Sequence, residues 1–239
     1  MKTRLFVFFT FFFLSCCALS ENKASPKAPN LTYRTAEELL LRIEKVYDGI
    51  DDIEMNFEQT VVQELFGKKA VTRGKIYSLR PGKLFWYTEE PSASQEKLII
   101  SDREQWLYQP SEKVVYYAVL SDKDFLAKLT LIFLKKKERL SDYFKVQFLG
   151  KEKNLALYPK KEIPNIHRIE LIYSKKTFFL EGFRVIYTLQ KTSTVLFSHI
   201  KTNQGLWKRH QITPLDPLIS QEDFRFKVPS DVKIQSFKE

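Results

Sequence analysis

Three histidines, His167, His199 and His210, are the whole imidazole inventory of this 239-residue chain. None stands beside a second histidine or a cysteine at the short spacing that a bound metal needs. The chain contains no HExxH, no G-x-S-x-G, no phosphate-cradling P-loop and no GxGxxG, and it has only seven glycines. The paired carboxylates Asp51-Asp52 and Glu89-Glu90 are direct neighbours. On strands such neighbours point to opposite faces, so neither pair makes an acid–base couple. Catalysis is therefore not expected, and neither a metal nor another cofactor is implied. One polar residue does stand out: Arg80, alone at an Arg80-Pro81-Gly82 corner between two aromatic-rich segments.

What the chain has in excess is apolar surface. Of 20 phenylalanines, 14 lie beyond residue 20, beside 11 tyrosines and three tryptophans. Sheets favour aromatic residues, but only one face of a simple sheet is normally buried. Here Leu84 and Trp86 alternate with Phe85 and Tyr87, and Trp106 and Tyr108 flank Leu107, so both faces are apolar. Few helices are available to cover them. Part of this surface is expected to line a cavity or form an exposed patch, a signature of a hydrophobic ligand or partner. What would cover the face carrying Phe85 and Tyr87 is left open, with the first helix, a neighbour or nothing as the alternatives.

The positioning elements follow from periodicity. Lys2 and Arg4 precede the apolar run Leu5 to Leu14, and Ala18-Leu19-Ser20 offers a small-residue cleavage site. Residues 1–20 thus read as a secretory signal peptide, too short to span a bilayer well. Cleavage after Ser20 would remove Cys16 and Cys17, leaving no thiol and no disulfide. It would also take Lys2 and Arg4 and no acidic residue, so a net charge of +10 becomes +8. An alternative reading of Phe13-Leu14-Ser15-Cys16 is a lipobox-like site, which would lipidate the cysteine and anchor the chain. Residues 21–34 read as a flexible leader, with Pro26, Pro29 and no apolar period. Residues 35–239 then form a single domain.

Thr35-Ala36-Glu37-Glu38 is a capping box, followed by Leu39, Leu40, Ile43, Val46 and Tyr47 at helical spacing up to about Gly49. From Ile53 the period switches to two. Short strand segments follow near 69–79, 83–90, 96–101, 104–109 and 113–119, then 143–149, 153–159, 166–173, 178–189, 193–202 and 223–228. This regular spacing indicates a large antiparallel sheet in a mainly β, α+β fold of about eleven strands. Between them, 122–139 carries Phe125, Leu126, Leu129, Ile132 and Phe133 at helical spacing and ends in lysines, so it reads as a helical insert that covers something. Short basic clusters at Lys135–Lys137, Lys160-Lys161, Lys175-Lys176 and Lys208-Arg209 fit solvated loops, or attraction to anionic head groups or an acidic partner. No nucleic-acid motif occurs.

The residues resemble a known family. Asn56-Phe57-Glu58-Gln59-Thr60, the block from Gly74 through Arg80-Pro81-Gly82-Lys83-Leu84-Phe85-Trp86 to Pro91, Leu98 to Asp102 and Gln105 to Tyr108 are similar to LolA, the periplasmic lipoprotein carriers. Leu155 to Lys160, Ile169-Glu170-Leu171 and Asp223 to Pro229 continue the pattern over roughly 40–235. Arg103 stands where a glycine is usual, and Tyr187 to Lys191 replaces a D-x-x-G-Q hairpin.

The resemblance implies an unclosed antiparallel β-barrel with an N-terminal helix and a helical lid over a hydrophobic cavity. It implies a monomeric periplasmic shuttle for lipoprotein acyl chains, loaded by an inner-membrane ABC-type release complex and unloading to an outer-membrane acceptor. Arg80 takes the role of a lid latch. Phe57, Leu84, Trp86, Ile100, Trp106 and Tyr108 are the candidates for contact with acyl chains, and Phe125, Leu126 and Leu129 for the lid. The alternatives on the same fold are a LolB-like acceptor anchored through Cys16 or Cys17 and a general lipid-binding module.

Overall fold

The computed structural model describes residues 34–120, 139–150 and 154–236. The expected signal peptide with Cys16 and Cys17, nearly all of the leader, and the lid candidates Phe125, Leu126 and Leu129 lie outside the described residues. The first element is helix α1 (Ala36–Val46), and its start follows the sequence signal. Thr35 Oγ1 accepts a hydrogen bond from the Glu38 N–H at 3.1 Å. Glu38 reaches back one residue further than a capping box requires, accepting from the Arg34 N–H at 3.1 Å.

Strands β1 (Asp52–Gln63), β2 (Lys68–Leu79), β3 (Lys83–Glu90), β4 (Lys97–Ser101), β5 (Glu104–Gln109) and β6 (Val114–Val119) come next. After the single-turn helix α2 (Leu140–Tyr143) come β7 (Phe144–Leu149), β8 (Asn154–Pro159), β9 (Ile166–Tyr173), β10 (Leu180–Tyr187) and β11 (Lys191–Thr202). Helix α3 (Leu206–Ile212) and strand β12 (Lys233–Ser236) follow among the described residues. All twelve strands share one sheet in the order β12-β6-β5-β4-β3-β2-β1-β11-β10-β9-β8-β7. Neighbours are antiparallel except β12, which lies parallel to β6. The sheet does not close, because β12 and β7 are its two edges. The expected mainly β fold, an unclosed antiparallel sheet with few helices, is thus what the chain forms.

Helix α1 defines an inner face. Its Leu39, Leu40 and Ile43, with Tyr47 just beyond, repeat at helical spacing and are buried against that face. Ile53, Met55 and Phe57 of β1, Leu84 of β3, Leu98 and Ile100 of β4 and Leu107 of β5 belong to the same core. Removing each such side chain from water is worth about 1.5–3 kcal/mol, so α1 is held by packing more than by propensity. Gly74 makes room for this layer. A Cβ there would fall on the Tyr87 carbonyl oxygen and within 2.8 Å of the Phe57 ring.

The outer face is covered by the chain's own C-terminal segment. Leu79, Phe85, Ile99 and Val115 of the sheet form a second core with Leu206, Ile219, Phe224 and Phe226. Tyr77, Tyr87, Trp106 and Tyr108 pack against it from the sheet, and Trp207, Leu215 and Leu218 from the tail. The second apolar face therefore has a cover that neither the first helix nor a neighbouring molecule supplies. Residues 223–228 differ from the expected strand: only an isolated bridge, Ile219 to Phe226, forms there. They act as a packing strap, and α3 and β12 are elements that the periodicity did not announce.

Candidate functional site

Corner residues 80–82 lie at the end of the β2–β3 hairpin, where Arg80 meets the exit of α1. The Arg80 N–H donates to the Asp51 carbonyl at 2.8 Å. Its guanidinium Nη1 donates to the Tyr47 carbonyl and, at 3.2 Å, to the Ile50 carbonyl. Both acceptors belong to the turn that carries α1 into β1, where a helix leaves carbonyls unsatisfied and a cation is favoured. Burial pulls the Arg80 pKa below its ordinary value, and the nearby carboxylates Asp48 and Asp51 oppose that shift.

The same turn is held from other directions. Asn203 Oδ1 accepts from the Asp51 N–H at 2.7 Å, and Asn203 Nδ2 donates to the Gly49 carbonyl at 3.0 Å. The Tyr47 hydroxyl accepts from the Leu180 N–H at 3.0 Å, and its ring lies 5.3 Å from Phe179. Burial pushes the Tyr47 phenol well above its usual range, so it stays neutral. Further up α1, Glu44 accepts from the Leu140 N–H at 2.7 Å and pairs with Arg139 at 3.4 Å. Burial raises the Glu44 pKa, against the lowering influence of the Leu140 N–H and of Arg139. Arg139 is the last residue of the expected helical insert and Leu140 directly follows it, so α1 is tied at once to the Arg80 corner and to the end of that segment. Sequence places Tyr47 on the apolar face of the first helix without revealing its partner, and it does not single out Glu44. Glu44 lies on a helix as one of several ordinary acidic residues, and its partner is 96 positions away.

Of the six acyl-contact candidates, four gather on the inner face. Phe57, Leu84 and Ile100 are buried in the α1 core, and Trp86 is half-buried against it. The Phe57 and Trp86 rings lie 4.7 Å apart. The other two require correction, because Trp106 and Tyr108 point to the outer face. Register explains this. Leu84 pairs with Ile100, and Ile99 with Trp106, since only Asp102 and Arg103 separate the paired residues Ser101 and Glu104. A two-residue hairpin inverts which numbers face inward, so Leu107 faces α1 while Trp106 and Tyr108 meet Phe226, each at 5.9 Å. That loop length was readable in the sequence and is the signal that could have placed them.

Half-buried aromatic surface remains on the inner face at Trp86 of β3 and Phe183 of β10. Among the described residues, no group of three His, Cys, Asp or Glu could hold a metal ion. No helix of the described residues is long and apolar enough to cross a membrane. The site has chemistry suited to holding apolar groups, with the hydrogen-bonded Arg80 guanidinium at its edge.

A LolA superfamily protein from Nitrosomonas europaea is 12% identical, with 71% of this chain and 94% of that one covered and a TM-score of 0.43. A DUF1329 family protein from Desulfovibrio piger is 16% identical over 73% and 95% of the two chains, with a TM-score of 0.45. A chain of a Pseudomonas aeruginosa MucA/MucB complex is 10% identical over 70% and 57%, with a TM-score of 0.39. No curated protein matches the chain. The family model described as outer membrane lipoprotein carrier protein LolA matches residues 48–209, from the turn after α1 to the middle of α3, and the chain therefore belongs to the LolA family.

Proposed function

We propose that this protein is a periplasmic carrier that takes up lipoprotein acyl chains on the inner face of its sheet and moves lipoproteins from the inner to the outer membrane. The observation that supports it most is the half-buried aromatic surface of the inner face, Trp86 and Phe183 among it, packed against a buried apolar core. Lipid tails taken from water gain about 0.8 kcal/mol per methylene, so ten further buried methylenes would add about 8 kcal/mol. Full burial would make release too slow, and a carrier must exchange cargo contacts for its own. In this reading α1 and the lid supply the replacement contacts, and Arg80 stabilises the cargo-free arrangement. Loading comes from an inner-membrane ABC-type release complex and unloading goes to an outer-membrane acceptor.

Mass spectrometry of the protein purified from its native host tests the reading. The carrier is expected to start at Glu21 and to co-purify with acylated lipoprotein. A diacylated Cys16 or Cys17 would instead make the chain an anchored acceptor. Recovery of free lipid with no lipoprotein would make it a general lipid-binding module.

A further inference from the structure

Apolar side chains also stand exposed at the far end of the sheet, away from Arg80. Three of them share one tip. Leu65 and Phe66 lie on the single helical turn joining β1 to β2, and Leu189 lies on the turn joining β10 to β11. They are 68%, 67% and 73% exposed, values that few large apolar residues reach in a folded chain. The two turns are one platform, because the Glu64 N–H donates to the Gln190 carbonyl at 3.0 Å. Gly67, in the left-handed region at φ 57°, closes the first turn with its N–H on the Glu64 carbonyl at 3.1 Å. A third loop joins them, since the Thr188 N–H donates to the Asn165 carbonyl at 3.0 Å.

Charge surrounds this tip. Lys68 and Lys69 follow the first turn, and Lys160 and Lys161 lie on the loop that ends at Asn165, all four exposed. Glu64 and Glu162 are the exposed acids of the same loops, leaving a positive surplus. Lys191 is different: it is buried and holds its ammonium 4.8 Å above the Tyr187 ring, so it braces the turn.

We propose that this end of the sheet is a docking tip for an anionic lipid bilayer, inserting Leu65, Phe66 and Leu189 into the interface while the lysines meet the head groups. Apolar tips ringed by lysine fit a surface that is apolar below and negative above. Main-chain hydrogen bonds between the turns hold the three side chains ready, so little ordering is needed on contact. The inference goes beyond the carrier reading, because it assigns the bilayer to loops remote from the inner-face site and holds for any cargo.

The test is flotation of the native protein with vesicles of phosphatidylethanolamine, with and without phosphatidylglycerol, at low and high salt. Binding is expected on the anionic vesicles and is expected to fall as salt rises. The triple variant Leu65→Ser, Phe66→Ser, Leu189→Ser should lose about tenfold or more of that binding while keeping the wild-type melting temperature. Lys68→Glu with Lys69→Glu should weaken binding to anionic vesicles and leave neutral ones unchanged. A triple variant that floats like the wild type would overturn the proposal, as would equal wild-type binding to neutral and anionic vesicles. So would sedimentation showing a wild-type dimer that the triple variant splits, which would make the tip an interface between copies. Lipoprotein uptake in solution by the triple variant separates this outcome from the carrier reading: it should remain whichever way flotation falls.

Discussion

The Arg80 guanidinium donates to the carbonyls of both Tyr47 and Ile50, joining the β2–β3 corner to the exit of α1. The contact links a hairpin of the sheet to the helix that occupies its inner face. The resemblance had assigned Arg80 to the lid, residues that lie outside the described part of the chain. Its described partners are the carbonyls at the exit of α1.

Arg80→Leu should therefore remove two charge-assisted hydrogen bonds, costing about 2 kcal/mol, with a matching fall in the denaturation midpoint. If the carrier reading holds, the variant still loads cargo, and transfer to acceptor membranes slows. Arg80→Lys, which keeps the charge but not the forked donor geometry, should recover only part of the transfer rate. Normal delivery by Arg80→Leu in a two-membrane transfer assay would rule out the latch.

The tail's hold on the outer face depends on an ion pair with little solvent around it. Lys97 Nζ lies 2.6 Å from Asp216 Oδ2, with side-chain exposures of 15% and 9%. Asp216→Ala leaves the lysine beneath the tail without its carboxylate, at a cost of about 3 kcal/mol in stability. It should also raise amide exchange in 206–232 before the inner face responds. Uniform exchange along the chain would show that tail and sheet unfold as one unit.

Glu96 gives a pH dependence of known sign. Burial raises its pKa above 4.5, its bond from Gln109 Nε2 (2.6 Å) lowers it, and Glu112 raises it slightly. The folded state thus holds this proton more tightly than the unfolded chain, so stability is lost as pH climbs from 4.5 through the raised value. Glu96→Gln keeps an acceptor for Gln109 and removes the charge. Its urea midpoint should match wild type at acidic pH and exceed it at neutral pH, with m unchanged. A constant difference at every pH would contradict the assignment.

Much of this architecture is legible in local sequence because local forces decide it. Thr35 and Glu38 mark the start of α1, and the alternation in Leu84 to Tyr87 sorts that strand's faces as the structure does. Trp106 and Tyr108 were misplaced because alternation fixes a face only relative to neighbouring strands, and a two-residue turn changes the parity. Helix α3 carries little local signal because it is short and its start is capped at long range: Asp52 accepts from the Gln204 N–H at 2.8 Å and the Leu206 N–H at 3.1 Å. His210 on that helix is likewise explained only by the fold. It is fully buried, with Nε2 2.9 Å from the Ser220 carbonyl and Nδ1 accepting from the Leu215 N–H at 3.3 Å. It serves as a structural pin in the tail.

The central claim, that acyl chains occupy the inner face, is tested most directly by placing a photo-reactive phenylalanine at position 86 or, separately, at position 87. These neighbours lie on one strand and face opposite sides, Trp86 toward α1 and Tyr87 toward the tail. After loading with a radiolabelled lipoprotein and illumination, position 86 should capture the acyl chain and position 87 should not. Capture at 87, or equal capture at both, would contradict the account.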